Sequence, residues 1–408
     1  MSTAAARDRW VLLVALGVDN LGSGLFLPLA VVYATRVVGL PLGVAGTVVS
    51  VGTAAGLVVP PLAGRLVDRL GPRRVVAGSQ LLQAAGALMY LAAVDVGSTL
   101  VAAMLLAAGQ QGFYSSLFAL ISDVSPPGPK DRSFAAVSMV RAGAFGTGAL
   151  VAGLLLTAVD ESGLRLAVAL DAGTFVVAGA LLWCLVHDRH HETAERSRGP
   201  GERVRVLRNR PYLALIVVTG LVTLVTDVFL AGMAVFALDV LRTPDWLPGT
   251  MLAVLTALDT LLGVTVIRRT AHLGRMRAMS VGAGLYVVWT LLVAATLVVP
   301  PAWQPAWLLG TVLMLAAGSL VFGPRANALA EAAAPRATRG RHLAAFQYAF
   351  TVAGVVAPAV VALFTVGAWV PWALLAVTTT LGMLGLRWLA PRLPAHAVLG
   401  APAEHEKV

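Results

Sequence analysis

Among the charged side chains inside long apolar stretches of this sequence, five could do chemistry: Asp19, Arg141, Asp171, Asp227 and Asp259. On insertion scales an ionised side chain at the centre of a membrane helix costs about 2.5–3.5 kcal/mol, so such a residue indicates a function. Burial raises the pKa of a carboxyl group towards neutrality, which lets it exchange protons. Arginine stays charged and needs a counter-charge. The residue types therefore predict proton exchange at carboxylates and, at Arg141, either pairing with Asp19 or attraction of an anionic substrate.

Asp19 has the most polar surroundings of these residues. The segment GVDNLGSGLFLP (17–28) places Asn20 and Ser23 beside it. We predict that Asp19, with Asn20, titrates a proton or contacts substrate, and structural hydrogen bonding is the alternative. The same two interpretations apply to Asp227 and Asp259.

The composition shows what kind of element must position these residues. The chain has 408 residues, of which 58% are apolar and 12% are charged. Soluble domains carry roughly 25% charged residues, so the membrane is the natural solvent for this chain. The net charge is +10, and the basic residues fall in short segments between apolar runs. This placement favours contact with lipid headgroups and argues against a nucleic-acid partner.

Twelve segments are long enough to span a bilayer, whose core of about 30 Å needs around 20 apolar residues per helix. Two long uncharged stretches must each be divided, at 299–307 and at 366–372, where Pro ends helices and Trp prefers the interface. The predicted spans are 10–34, 42–63, 75–94, 99–122, 134–158, 166–186, 212–237, 249–267, 278–299, 306–328, 343–365 and 371–389.

The distribution of basic residues predicts the orientation. With the N-terminus inside, the cytoplasmic segments and the inner end of the last span, which carries Arg387, hold 25 of the 30 Lys and Arg residues, and the outer loops hold three. Positive loops stay on the cytoplasmic side, so both termini are expected there. The bias towards Arg, Ala, Gly and Val suggests a GC-rich bacterial genome, and hence a multi-pass protein of the bacterial inner membrane.

A polar, arginine-rich segment at 187–211 separates two sets of six spans. It contains His187, His190 and His191, for which a solvated linker is favoured over metal binding, and we predict no metal site. The predicted divisions are an N-terminal six-helix bundle (1–188), a cytoplasmic linker (189–210), a C-terminal six-helix bundle (211–390) and a cytoplasmic tail (391–408).

The two halves share identities at a constant offset of 203 residues. Matching pairs are Phe26-Leu27 with Phe229-Leu230, Gly46-Thr47 with Gly249-Thr250, Gly71 with Gly274, and Arg74 with Arg277. Two similar bundles suit a transporter in which one half rocks against the other around a midplane site.

The loop GRLVDRLGPRRV (64–75) carries glycines and charges between two apolar runs. Gly64 allows close approach of another helix, and Gly71 can take a positive φ where the chain reverses. Asp68 needs a partner, either a nearby arginine or the positive N-terminus of a helix. The full set of motif residues is Gly64, Asp68, Arg69, Gly71, Arg73 and Arg74.

This loop resembles the motif Gly-x-x-x-Asp-Arg-x-Gly-x-Arg-Arg/Lys of the major facilitator superfamily, and the twelve-span layout extends the resemblance to the whole chain. The resemblance implies an all-α membrane protein of two pseudo-symmetric six-helix bundles. It also implies that Asp68 latches the cytoplasmic face by pairing with the start of the eleventh helix. The corresponding second-half loop (267–277) has Ala271 in place of the aspartate, so we expect no second latch and asymmetric gating.

In this superfamily helices one, two, four, five, seven, eight, ten and eleven line the central cavity, and the others support it. The resemblance therefore implies that Asp19, Arg141, Asp227 and Asp259 face the cavity. Asp171 lies on the supporting sixth helix, where hydrogen bonding near the outer surface is the favoured interpretation.

The chain resembles bacterial twelve-helix drug:proton antiporters less closely. Its fifth helix is glycine-rich but lacks their Gly-Pro dipeptide, and Ala108 stands where their fourth helix carries an arginine.

No nucleotide-binding loop, metal-ligand spacing or nucleophile arrangement occurs, so we expect neither an enzyme nor a cofactor, with the proton gradient as energy source. We predict a secondary active transporter that exports hydrophobic small molecules, such as drugs or secondary metabolites, by proton antiport with alternating access. The alternative is a proton symporter or facilitator that imports a small metabolite. A non-transporting receptor or scaffold is a remote alternative. The expected partners are a small-molecule substrate and the lipid bilayer, with the protein a monomer.

Overall fold

The structure is a computed structural model that describes residues 3–125, 130–158, 161–187, 206–244, 246–335 and 338–399. Within these ranges the chain forms helices and turns, with no β-strand. The α-helices are α1 (Thr3–Phe26), α2 (Ala30–Arg36), α3 (Leu42–Ala55), α4 (Val59–Leu70), α5 (Pro72–Leu91), α6 (Val96–Val124), α7 (Asp131–Ala158), α8 (Glu161–Leu185), α9 (Arg210–Val235), α10 (Trp246–Arg269), α11 (Arg275–Ala295), α12 (Gln304–Ala333), α13 (Arg339–Phe346), α14 (Tyr348–Ala362), α15 (Val370–Leu389) and α16 (Ala395–Leu399).

Eleven helical segments in the described part of the chain are long and apolar enough to cross a bilayer. The third predicted span, α5, is not among them, although its 20 residues are long enough. Its buried Ser79, Gln80 and Gln83 make it more polar than the other long helices. The predicted all-α membrane architecture is confirmed, with one of its twelve long helices less apolar than the rest.

Proline and tryptophan divide the long uncharged stretches where the sequence predicts. After α11 the chain makes a 3-10 turn at Pro301–Trp303 before α12 begins at Gln304. The second stretch ends its helix with a 3-10 turn at Leu363–Thr365, and α15 begins at Val370. Proline has no N–H to continue a helix and is tolerated at the first helical positions, which explains both breaks.

Two predicted spans contain breaks of their own. A 3-10 turn at Leu27–Leu29 separates α1 from α2, and another at Gly56–Val58 separates α3 from α4. Both breaks lie at or just before prolines, Pro28 in the first and Pro60 in the second. The spans therefore change direction or pitch at these points.

The chain forms two compact units. Each unit contains most of one half of the chain and a short segment from the other half. The predicted linker, with His190 and His191, and the predicted tail lie largely outside the described residues. Unit 1 comprises Met1–Pro126, Val140–Arg203 and Pro335–Ala345, and unit 2 comprises Pro127–Met139, Val204–Ala334 and Phe346–Val408.

The two units repeat the same internal packing. In unit 1, α5 packs against α6 and α8, α1 packs against α8, and α3 packs against α6. In unit 2, α11 packs against α12 and α15, α9 packs against α15, and α10 packs against α12. Each pair in one unit corresponds in chain order to a pair in the other. The offset of 203 residues in the sequence is thus matched by equivalent helix contacts.

Glycines bring α1 and α7 close together within unit 1. A Cβ atom on Gly148 would lie 2.1 Å from the carbonyl oxygen of Leu21, and one on Gly24 would lie 2.2 Å from that of Phe145. In lipid, where no hydrophobic effect drives helices together, small residues let backbones pack directly. The glycine-rich fifth span therefore packs closely on the helix that carries Asp19.

We expect Gly148→Ala to lower the melting temperature of the detergent-solubilised protein, because the added methyl group overlaps a backbone oxygen. Overpacking of this kind costs about 1–3 kcal/mol. Gly173→Ala in α8 is the matched control, since a Cβ atom added there would have no neighbouring atom within 4 Å. Alanine is the better helix former, so the control should melt at the wild-type temperature or above. Equal melting temperatures for the two variants would contradict this account of the contact.

Candidate functional site

The carboxylate of Asp19 is the centre of a hydrogen-bonded network in unit 1. Gln80 of α5 donates from Nε2 to Oδ1 of Asp19 at 2.8 Å, and Asn20 donates from Nδ2 to Oδ2 at 2.9 Å. Gln83 extends the network by donating to Oε1 of Gln80 at 3.5 Å. Asp19 and Asn20 are each 3% exposed, and Gln80 is fully buried. Both carboxylate oxygens are thus bonded by neutral donors rather than by a counter-ion.

Arg141 reaches this network through Asn20 rather than through Asp19. Its Nε lies 3.4 Å from Oδ1 of Asn20, and its guanidinium lies 4.6 Å from the centre of the Tyr114 ring. A guanidinium has five N–H donors, and among the described residues Asn20 is the acceptor it meets. Arg141 therefore keeps donors for a polar or anionic ligand while its charge lies close to Asp19.

Gln80 is a member of the site that was not expected from the sequence. The resemblance places the third helix among the supporting helices, so it gives no reason to expect a site residue there. The signal in the sequence was a pair of glutamines one turn apart, Gln80 and Gln83, in an otherwise apolar span. Residues three apart lie on one face of a helix, so the pair indicates a polar face that needs a partner.

Two predicted carboxylates of the second half lie in unit 2. Asp259 of α10 accepts a hydrogen bond from the hydroxyl of Ser319 in α12 at 2.7 Å. Asp227 of α9 faces Gly354 of α14, where a Cβ atom would lie 3.7 Å from its Oδ1. Thr226, beside Asp227 in the chain, donates a hydrogen bond to the hydroxyl of the buried Tyr286 of α11 at 3.5 Å. Asp227 and Asp259 therefore make separate contacts within unit 2.

Asp171 is buried without a partner, contrary to its predicted hydrogen bonding near the outer surface. Its exposed fraction is 0%, and neither carboxylate oxygen has a hydrogen-bond partner among the described residues. The side chain points towards α1, since a Cβ atom on Gly22 would lie 2.8 Å from Oδ1 of Asp171. The prediction was wrong because sequence position gave the depth of Asp171 along α8 but not the face it occupies.

The glycines of the loop motif take the positions that their physical roles require. Gly71 separates α4 from α5 and has φ 85°, in the left-handed region that favours glycine. A Cβ atom on Gly64 would lie 2.8 Å from Cβ of Ala344 and 2.9 Å from Cα of Arg341. The chain therefore reverses at Gly71, and α13 packs directly on the end of α4 at Gly64.

Asp68 contacts the start of α13 within unit 1. Its Oδ1 accepts a hydrogen bond from the backbone N–H of Gly340 at 3.0 Å. Its Oδ2 lies 2.8 Å from Nε of Arg341, an ionic contact whose atoms are not aligned for a hydrogen bond. A neighbouring ion pair joins Arg339 to Asp123 at the end of α6. The carboxylate thus meets both a helix N-terminus and a cation, each of which stabilises negative charge.

The arginines of the motif differ in their surroundings. Arg73 donates from Nη1 to the carbonyl oxygen of Val186 at 2.7 Å, and its guanidinium lies 5.5 Å from the ring centre of Trp183. Arg69 and Arg74 have exposed side chains. Arg73 therefore fixes the end of α8, whereas the other two are placed for contact with the surroundings.

The second-half loop carries an ion pair of reversed polarity. Arg275, at the start of α11, contacts both oxygens of Asp131 at the start of α7, with distances of 2.9–3.2 Å. It also donates to the carbonyl oxygen of Ala397 at 3.1 Å. Ala271, at the position of the missing aspartate, is exposed. Here the cation, Arg275, comes from the second-half loop, and the carboxylate, Asp131, comes from the start of α7. In the first half the loop supplies the carboxylate, Asp68, instead.

Repeated bundles of long apolar helices define a polytopic membrane protein. The chain belongs to the Major Facilitator Superfamily, whose family model matches residues 12–358. Membership in this family confirms three predictions: the protein is a transporter, it crosses the membrane several times, and it is not an enzyme. Among curated protein sequences, none matches this chain.

Solved structures share the fold over almost the whole chain. The human organic anion transporter MFSD10 (TETRAN) is 14% identical with a TM-score of 0.73, over 94% of this chain and 99% of that chain. A bacterial homologue of the iron transporter ferroportin in an outward-facing state is 16% identical with a TM-score of 0.74, over 95% and 100%. The structure of a bacterial ferroportin homologue with soaked iron is 14% identical with a TM-score of 0.73. At these identities the similarity shows the fold alone.

We expect Arg275→Gln to destabilise the protein strongly, since it leaves Asp131 without its cation. The two side chains are 6% and 15% exposed, and breaking a buried ion pair costs about 3–5 kcal/mol. The measurement is the melting temperature in detergent, with Arg277→Gln as control because Arg277 has an exposed side chain two positions along. The double variant with Asp131→Asn and Arg275→Gln should melt only slightly below Arg275→Gln alone. Fully additive losses would show that the two residues do not act as a pair.

Proposed function

We propose that this transporter exports hydrophobic or weakly polar small molecules in exchange for protons. The observation that carries the proposal is the Asp19 carboxylate, bonded by Gln80 and Asn20 inside an apolar bundle. Buried carboxylates without a counter-ion at close range can take up protons. An apolar cavity with few polar groups is also suited to loose recognition of hydrophobic substrates.

The proposed exchange follows from competition at Asp19. An ionised Asp19 attracts a substrate that carries a hydrogen-bond donor or a positive charge, and a proton at the same carboxylate removes that attraction. Substrate and proton therefore bind in alternation, which is the requirement of antiport. Asp227 and Asp259 are proposed to contribute further polar contacts to the substrate.

The contact of Asp68 with the start of α13 is proposed to act as the latch of the cytoplasmic face that the family resemblance implies. We place both termini in the cytoplasm of a bacterial cell, in the inner membrane. The protein would act as a monomer, with the proton gradient as its energy source and no cofactor.

A second candidate function is transport of an organic anion. The observation that favours it is Arg141, whose guanidinium contacts an amide and an aromatic ring but no carboxylate among the described residues. Stacked guanidinium groups with spare donors are suited to binding carboxylates. The similar structure of a human organic anion transporter is consistent with this candidate.

Purified protein in proteoliposomes would separate these functions. The panel would contain lipophilic cationic dyes, neutral aromatic compounds and aromatic carboxylates, each tested with an imposed pH gradient of either sign. Antiport predicts substrate uptake into acid-loaded vesicles together with alkalinisation of the lumen. Symport predicts uptake into alkaline vesicles, and a facilitator would ignore the gradient. Absence of flux for every compound in both directions would contradict the proposed substrate classes.

We expect Asp19→Asn to abolish proton-driven flux, because an amide cannot take up the proton. The melting temperature should stay near that of the wild type, since asparagine still forms hydrogen bonds, whereas exchange of labelled for unlabelled substrate should weaken because asparagine, like the protonated carboxyl group, no longer attracts the substrate. Asp95→Asn is the matched control: Asp95 caps the start of α6 outside the spans, and asparagine caps helices equally well. Wild-type coupling in Asp19→Asn would remove this carboxylate from the mechanism.

We expect Asp68→Asn to slow turnover by shifting the protein towards the inward-open state. Hydrogen bonds to charged groups contribute about 1.5–3 kcal/mol, so the shift in the equilibrium between states should be about tenfold or more. Because Asp68 and Arg341 are proposed to act together, Asp68→Asn combined with Arg341→Gln should be no slower than either single variant. Arg69→Gln serves as the control for loss of charge in the same loop. Independent effects of the Asp68 and Arg341 substitutions would argue against the latch.

A further inference from the structure

A cavity of about 340 Å³ lies in unit 2, at the end of the unit where α7 and α11 begin. Three arginines line this cavity, Arg132, Arg275 and Arg325, together with one carboxylate, that of Asp131. Small-molecule sites in proteins have volumes of roughly 300–1,000 Å³, so a small ligand fits here. The excess of positive charge in the wall favours an anion as that ligand.

Two of these guanidinium groups are buried, since Arg275 is 5% exposed and Arg325 is 3% exposed. Asp131 pairs with Arg275 through both of its oxygens. Arg325 instead donates to the carbonyl oxygens of Val321 and Thr270, each at 3.1 Å, and to the hydroxyl of Thr270. These acceptors are all neutral. A buried charge without a counter-charge is costly, so an anion bound in the cavity would stabilise Arg325.

The internal repeat shows what is missing from this cavity. Arg132 in the first turn of α7 corresponds to Arg341 in the first turn of α13, since the segments before them end in Lys-Asp-Arg and Arg-Gly-Arg. In unit 1, Arg341 lies 2.8 Å from the carboxylate of Asp68. At the offset of 203 residues, Asp68 corresponds to Ala271, which lines the cavity together with Arg132. Unit 2 therefore has an open space where unit 1 has a carboxylate.

We propose that this cavity binds a phosphate group, which takes the place of the carboxylate that the second-half loop lacks. Guanidinium groups bind phosphate oxygens through paired N–H donors. The N-terminal ends of α7 and α11 add their positive dipoles on the same side of unit 2. A bound phosphate holds the end of α10 against the starts of these two helices, as Asp68 holds the end of α4 against the start of α13.

The depth of the cavity allows the phosphate to come from a lipid headgroup or from a soluble organic phosphate. The first residues of α7 and α11 lie outside the predicted spans, whereas Arg325 lies three residues inside the end of the tenth. Basic pockets between membrane helices at this level bind anionic headgroups. Apolar side chains complete the wall and would contact the glycerol and acyl part of a lipid; they are Ile267, Leu273 and Leu399.

The test is calorimetric titration of the full-length protein in a neutral detergent at constant ionic strength. The probes are the short-chain lipid dihexanoyl phosphatidylglycerol, glycerol 3-phosphate and inorganic phosphate, with zwitterionic dihexanoyl phosphatidylcholine for comparison. Binding of phosphatidylglycerol alone would identify a lipid headgroup as the ligand, and binding of the two soluble phosphates would identify a soluble compound. Equal binding of phosphatidylcholine and phosphatidylglycerol, or no binding of the three anionic probes, would overturn the inference.

Two variants test the cavity itself. Arg132→Gln removes one of its cations, and Ala271→Phe fills it without a change of charge. Both side chains are exposed in the wild type, so the variants should fold, which their melting temperatures without ligand will check. Each substitution should raise the Kd of the bound probe about tenfold or more, and tenfold corresponds to about 1.4 kcal/mol. Wild-type affinity in both variants would contradict binding in this cavity.

Arg277→Gln is the matched control for loss of charge. Arg277 lies on α11 two residues after Arg275, and its side chain is exposed. The affinity of this variant should equal that of the wild type. Equal weakening by Arg277→Gln and Arg132→Gln would show attraction to a basic surface in general, and would overturn the site. The titration requires no transport, so its result is independent of the proposed exchange of substrate for protons.

Discussion

A charge in the hydrocarbon of a membrane is stable only where the protein itself supplies its partners, and this constraint governs the interior of unit 1. Asp19 needs donors for two oxygens, and Gln80 and Asn20 provide them. The requirement explains why α5 is more polar than the other long helices, since it must carry those donors into an apolar layer. The same requirement accounts for the close contact of α1 with α7. Gly24 and Gly148 bring the two backbones together, and Arg141 on α7 thereby reaches Asn20.

The architecture could be predicted because its determinants are local or periodic. Span length, the prolines that divide the long stretches and the alternation of apolar runs with basic segments all act over about 20 residues. The loop motif was equally informative, because Gly64 and Gly71 have steric roles that follow from the missing side chain alone. The reduced apolarity of α5 was visible in its glutamines, yet its meaning depended on which helix it meets.

The site was predicted only in part, because helix contacts decide which buried polar groups meet. Asp19, Asn20 and Arg141 were found as residue types that are costly in lipid. Their connection through an amide, rather than by a direct ion pair, depends on the rotation of each helix about its axis. The lack of partners at Asp171 among the described residues depends on the same rotation. The contact of Arg275 with Asp131 joins residues 144 positions apart, and no local pattern in the sequence indicates it.

Each compact unit includes a segment that the other half of the chain encodes, 335–345 in unit 1 and 127–139 in unit 2. Each half of the chain therefore contributes residues to both units. A polypeptide that ended before the eleventh span would leave the Gly64 surface uncovered and Asp68 without its cation.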